Sequence, residues 1–365
     1  MAITLNGSTG ITTPTYGGSV SAEYITPVTG FKNRIINGDM RIDQRNGGAS
    51  VTPTSGQYPI DRWQAALTQS SKYSVQQNAG AVTPPAGFTN YLGVTSLSAY
   101  TVLTGDLFDI RQKIEGFNIS DLAWGTANAQ TITLSFWVRS SLTGTFGGAI
   151  KNAAATRSYP FTYTISSANT WEQKTITIAG DTSGTWLTGN NAGMQVGFGL
   201  GVGSTYSGTA GEWAGFNFVS ATGATSVVGT NGATFYVTGV QLEKGDTATS
   251  FDYRPYGTEL ALCQRYYQSL TNIWDNAISG FLGTINNNDV ICSIRFNQFM
   301  RATPTVTTYS EDGTAGRVSM NRLASGYVTG QLGFSVAGGT LLNSSGANRT
   351  GVSNVTFKWK AEAEL

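Results

Sequence analysis

From Phe31 to about Pro255, apolar and polar positions alternate in short runs separated by turn residues such as Asn37-Gly38, Asn46-Gly47-Gly48, Pro84-Pro85 and Asn231-Gly232. A period of two predicts strands with one face buried. In Thr131–Arg139, Ile132, Leu134, Phe136 and Val138 share one face, while Thr131, Thr133, Ser135, Trp137 and Arg139 share the other. In Met194–Val202 the apolar set alternates with Gln195, Gly197, Gly199 and Gly201; a face of glycines leaves the backbone open to close approach by a neighbour or ligand. Leu107–Ile114 and Lys174–Ala179 read as further amphipathic strands. Phe235 and Val237 lie on one phase and Val240 and Leu242 on the other, which predicts a bulge at Gly239. Together these runs predict a β-sandwich.

After Pro255 the periodicity predicts one helix, from Thr258 to about Leu270, short enough to pass into strand near Arg265-Tyr266-Tyr267. The alternation then returns at Val290–Phe299, Val318–Asn321, Gln331–Val336 and Val355–Leu365. In the last run Lys358, Lys360, Glu362 and Glu364 oppose Phe357, Trp359, Ala361, Ala363 and Leu365, charges suited to discouraging edge pairing. Residues 1 to about 30 are rich in Gly, Ser and Thr and carry too few large apolar side chains for a core. The reading is an all-β chain: an extended N-terminal arm (1–30), a sandwich (31–255) and a smaller C-terminal β domain (256–365). No fixed-period repeat supports a β-helix. Trp63 and Trp359 are expected in cores.

Charged residues make up only 12% of the 365 positions and the formal net charge is +1, so the polar surface is built from Thr, Ser, Asn, Gln and Gly. This suits assembly with other copies or recognition of neutral polar ligands, and argues against a nucleic-acid groove or a membrane-surface helix. No segment approaches a membrane-spanning length. Histidine is absent, which removes Ser-His-Asp and Cys-His systems, imidazole acid–base catalysis and His-containing zinc sites. Cys263 and Cys292 are too few for a disulfide framework and read as reduced, partly buried small hydrophobes. Carboxylate pairs remain a route to glycosidase chemistry, but Asp39/Asp43, Asp106/Asp109 and Glu243/Asp246 sit beside turn residues or arginines and read as caps and surface pairs.

Several segments resemble a family of phage and prophage tail fibre proteins. Phe31-Lys32-Asn33-Arg34-Ile35-Ile36-Asn37-Gly38-Asp39-Met40, then Gln44-Arg45 and Tyr58-Pro59-Ile60-Asp61-Arg62-Trp63, are similar to the opening of its jelly-roll domain. Ser135–Ser140 resembles the central strand of that domain and of related carbohydrate-binding modules; Trp171–Thr175 and Gly180–Trp186 follow in order. Tyr236–Gly245 and Thr249–Tyr256 are similar to its closing signature. Residues 257–365 resemble the short C-terminal domain of the family.

The resemblance implies a virion tail location after assembly in the host cytoplasm, as does an N-terminus, MAITLNGSTG, without a leader pattern. It implies attachment to a tail or other virion protein through residues 1–30, a homotrimer, and contact with host cell-surface polysaccharide. A decoration, neck or baseplate protein is the alternative; a capsule depolymerase is the less favoured one. No cofactor is expected, though a structural calcium ion is compatible with related modules.

Sugar rings stack their C–H faces on aromatic side chains while polar groups read the hydroxyls. Trp137, with Arg139 beside it, is the first candidate in the sandwich; Tyr206 and Trp213, in the Gly/Ser-rich Gly199–Gly215, are the second. Core or inter-subunit packing is the competing role for each. In the C-terminal third, expected farthest from the anchor and therefore favoured for recognition, the loops Thr307–Arg317 (Tyr309, Glu311, Asp312) and Ser325–Gly330 (Tyr327) are candidates, or ordinary hairpin ends.

Overall fold

The computed structural model describes residues 4–6, 10–12, 31–270, 290–310, 312–320, 323–327, 332–335, 338–343 and 355–365. Thr4–Asn6 and Gly10–Thr12 pair antiparallel. Ten strands then build the sandwich: β1 (Gln64–Leu67), β2 (Tyr73–Gln77), β3 (Leu92–Ser96), β4 (Leu107–Glu115), β5 (Ile132–Ser140), β6 (Gly144–Asn152), β7 (Ser158–Ile165), β8 (Glu172–Ile178), β9 (Ala192–Val202) and β10 (Thr234–Lys244). They form two five-stranded antiparallel sheets, sheet A in the order β8-β5-β10-β3-β2 and sheet B in the order β1-β4-β9-β6-β7. The fold is an all-β sandwich, as the alternation predicts, with the jelly-roll architecture that the resemblance implies.

The apolar phase of each strand faces the space between the sheets. Ile132, Leu134, Phe136 and Val138 from β5 meet Met194, Val196, Phe198 and Leu200 from β9, all buried. Trp63 joins them, its ring 6.2 Å from Phe198. The predicted bulge is present. Pairing of β10 with β5 runs from Phe235↔Ser140 to Thr238↔Trp137 and resumes at Gln241↔Ser135, one residue longer on β10. Gly239 absorbs the slip at φ 61°, a left-handed conformation that favours glycine.

The glycine face of β9 meets this chain's own connection between β9 and β10, not a foreign partner. That connection crosses the outer face of sheet B. A Cβ on Gly199 would lie 2.9 Å from the Ser220 hydroxyl, and one on Gly147 2.4 Å from it.

Many residues of the opening and closing motifs seal the sandwich. Asn33 donates to Val240 O (3.1 Å) and accepts from Leu242 N (3.0 Å), tying the first segment to β10. Asn37 accepts from Ile42 N (2.9 Å) and donates to Asp61 O (3.0 Å), while Trp63 Nε1 donates to Asn37 O (3.1 Å). Arg254 and Glu259, both buried, pair at 3.2 Å, and Arg254 also donates to Ile35 O (3.1 Å) and to Asn33 O. These polar groups satisfy backbone atoms that the flanking irregular chain would otherwise bury unpaired.

The predicted helix is short and passes into strand near Tyr267, as expected. α1 spans Tyr256–Gln264, and the chain becomes strand β11 at Tyr267–Leu270, because Tyr266 turns into the interior, its hydroxyl donating to Glu115 (2.8 Å) beside the Arg265–Glu115 pair. β11, β12 (Thr305–Tyr309) and β13 (Lys358–Glu362) form a three-stranded sheet in the order β11-β13-β12. Here the sequence expectation fails: the charged final strand is central, not an edge. The last residues dock on the sandwich, with Arg62 pairing with Glu364 and Lys113 Nζ donating to Leu365 O (2.7 Å). Phe357, Trp359, Ala361 and Cys263 are buried, as expected; the side chain of Cys292 lies outside the described residues. Among the described residues no helix is long and apolar enough to cross a membrane.

Candidate functional site

The outer face of sheet A is largely covered, with Thr133, Ser135, Thr238, Gln241 and Glu243 buried, but β5 presents Trp137 and Arg139 there half-buried, because both fall on the phase opposite the core. Trp137 pairs across to Thr238 on β10 and to exposed Gln173 on β8. Arg139 donates to Asn169 O (2.9 Å), and its guanidinium lies 5.5 Å from the Tyr236 ring centre. Tyr236 packs against Tyr91 (5.2 Å), and Tyr91 against Trp171 (5.5 Å). Gly93 makes this row possible, since a Cβ there would sit 3.0 Å from the Tyr236 ring. On the other side of Trp137, Phe88 packs against Phe251 (5.2 Å) and Tyr253 (5.5 Å). The bulge links the two groups: a Cβ on Gly239 would fall 2.6 Å from Phe88 and 3.2 Å from Trp137. Tyr91 and Tyr236 are buried, so the rings of this aromatic shelf that reach the surface are Trp137, Trp171, Phe88 and Tyr253, with the Gln173 amide and the Arg139 guanidinium beside Trp137, a combination that can orient a sugar ring.

Trp213 has a different setting. It packs edge-on against Trp124 (5.2 Å) and Trp186 (5.6 Å), and its Nε1 donates to Ala179 O (2.8 Å). This pins the β9–β10 connection over the end of the sandwich. Tyr206 lies in the same connection, in a short 3-10 turn at Ser204–Tyr206, and is partly exposed. Beneath the connection Asp109 and Arg111 pair at 2.6 Å, and Lys151 Nζ donates to Asn217 (3.0 Å). Burial pushes the Lys151 ammonium down to about 8. Trp137 lies on the outer face of sheet A and Trp213 at the end of the sandwich, so the two do not form one site.

In the C-terminal third, Asp312 accepts from the Ser310 hydroxyl and from Thr314 N (3.0 Å), and these hydrogen bonds hold its carboxyl down to about 2. It caps its own turn. Glu311 lies outside the described residues, and Tyr327 ends a strand (Leu323–Tyr327) whose side chains lie outside them. Tyr309 ends β12 and lines a cleft of about 800 Å³ between the 45–58 segment and the β11-β13-β12 sheet. Arg45 stands at its wall, bonded to Glu362 (2.9 Å) and Glu364 (2.7 Å), with its guanidinium 3.9 Å from the Tyr267 ring centre. Sequence reasoning missed Arg45, Tyr58 and Tyr267 here, because their partners are far away along the chain and no local pattern marks the junction.

Behind Arg45, Asp61 accepts from Gln44 N and Nε2, both at 2.7 Å. Burial pushes its carboxyl up to about 6, against the downward pull of Arg45. A folded-state value above the unfolded one means the native state binds the extra proton, so the Asp61 contribution to stability falls as pH rises from about 4 to about 6. Denaturation of wild type and Asp61→Asn should therefore give a stability difference that changes across this window and is flat above it. A constant difference from pH 3 to pH 8 would contradict the assignment.

The carboxylate pairs considered for catalysis have local partners. Asp43 accepts from Asn46 N (3.0 Å) and Gly48 N (2.7 Å), Asp39 pairs with Arg41, and Asp106 accepts from the Tyr100 hydroxyl (2.7 Å). Glu243 accepts from Gln241 Nε2 and Thr249 N, both at 2.9 Å. Among the described residues no three His, Cys, Asp or Glu side chains converge on a metal position.

No family model matches the chain, and no curated protein matches it. Solved structures do. The enzymatically active domain of tailspike protein 4 of bacteriophage CBA120 is 13% identical over 58% of this chain, with a TM-score of 0.33; the match spans only 21% of that chain. A putative sugar-binding protein from Bacteroides thetaiotaomicron is 12% identical, covering 59% of this chain and 100% of the other (TM-score 0.32). A family 11 carbohydrate-binding module from Clostridium thermocellum, solved with a mixed-linked tetrasaccharide, is 11% identical, covering 52% and 92% (TM-score 0.27).

Proposed function

We propose that this chain is a non-enzymatic, structural and adhesive component of a phage particle: a tail fibre subunit, trimeric, attached through residues 1–30, whose jelly roll contacts host surface polysaccharide. The observation that carries the adhesive part is the shelf on sheet A, where Trp137 lies partly open between two aromatic groups and beside Gln173 and Arg139. A neutral, hydroxyl-rich ligand suits it, because the exposed Gln173 amide stands beside the ring and charge is sparse along the whole chain. The ordered motifs from Phe31 to Tyr256 support the virion part through their resemblance to the tail fibre family. The sheet A face is favoured over the 307–317 loop for this contact, because Asp312 is engaged in its own turn.

Excess soluble chain should block adsorption of the particle that carries it, and Trp137→Ala should abolish most of that competition. Stacking on one aromatic ring contributes about 1 kcal/mol or more, roughly a fivefold or greater loss in affinity. Full competition by a folded Trp137→Ala chain would defeat the reading.

A further inference from the structure

We propose that the cleft between the sandwich and the β11-β13-β12 sheet is a second binding site, selective for a saccharide that carries a carboxylate. Its volume, about 800 Å³, lies in the range of small-ligand sites, and it sits at the junction of two sheet systems where such sites concentrate. The register fixes its floor. Tyr309 opposes Lys358, while Ser269 opposes Lys360 and Tyr267 opposes Glu362, so tyrosine rings and ammonium groups share one face of the small sheet. Tyr58 and Arg45 close the opposite side.

Charge decides the ligand class. The lining cations are Arg45, Lys358 and Lys360, and the lining acids are Glu362 and Glu364. Both acids already accept from Arg45, and Glu364 also pairs with buried Arg62; the carboxylates are neutralised from the sandwich side. Lys360 reaches Glu362 only at 3.9 Å and is about a third exposed, so its ammonium can turn to an incoming anion at small cost. The Tyr267 and Tyr309 rings supply flat apolar surface for the C–H face of the same sugar. The site stands apart from the glycan reading of Trp137 and does not require it.

Binding of trigalacturonic acid and of a sialic acid dimer to the full chain would be measured by calorimetry, with neutral galactotriose as the matched control. At least one acidic probe should bind about tenfold or more tighter than galactotriose, the worth of one charge-assisted hydrogen bond. Lys360→Gln and Tyr309→Ala should each weaken the acidic probe, Lys360→Arg should retain it, and Trp137→Ala should leave it unchanged. Because Lys360 is at the surface, its variants are expected to fold, and a thermal melt checks this. Failure of both acidic probes to bind, equal binding of galactotriose, or undiminished binding by Lys360→Gln overturns the proposal.

Discussion

Replacing Arg254 by Met is expected to lower the stability of the chain by about 3–5 kcal/mol, the usual consequence of removing one partner of a buried ion pair. Arg254 and Glu259 are both nearly inaccessible, 3.2 Å apart. Without the guanidinium, Glu259 keeps its bond from Asn37 N, but its charge loses the compensating cation. Ile35 O and Asn33 O also lose a donor. Because Asn33 and Asn37 hold the first segment against β10 and Trp63, the damage should spread to the seal of the sandwich. A double variant, Arg254→Met with Glu259→Leu, removes both charges and should recover a large part of the loss. Urea denaturation of the three chains checks this; a double variant as unstable as the single one would show that the pair acts through its backbone contacts and not through charge.

Phe198→Ala should cost a similar amount, about 3–5 kcal/mol, for an unrelated reason. Phe198 is fully buried near the middle of β9, with ring centres at 4.9 Å from Phe136, 6.2 Å from Trp63 and Phe235, and 6.4 Å from Phe161. Residues from both sheets surround the ring, so neither sheet can collapse into the void without moving its neighbours, and most of the cavity should persist. A denaturation midpoint shift much smaller than that of Arg254→Met would show that the core relaxes around the site.

Within the sandwich, what was legible was local. The period-two alternation of β5 and β9 placed Phe136, Val138, Val196 and Phe198 inside, and the change of phase between Val237 and Val240 marked the bulge at Gly239. It also put Trp137 and Arg139 on the outer face, because the side-chain period of a strand is set by backbone geometry alone. The rest depends on groups brought together from distant positions. Nothing near Trp137 announces Phe88, Trp171 or Tyr236, and nothing near Lys360 announces Arg45 or Tyr58. The final strand shows the limit most clearly: its alternation of Lys and Glu with Trp and Ala was readable, but whether it lay at an edge or between β11 and β12 was not.

By itself, then, the sequence determined that this chain folds as an all-β sandwich with a small β domain after it, and which side chains each strand buries. It also excluded histidine chemistry. Only the tertiary structure decided that the chain covers sheet B with its own β9–β10 connection and leaves Trp137 partly open on sheet A, that Trp213 closes the end of the sandwich, and that the last strand returns to form a cleft with residues near Arg45. Strand alternation reports burial along one segment, whereas a binding surface is set by which segments meet. That choice follows from the packing of the whole chain.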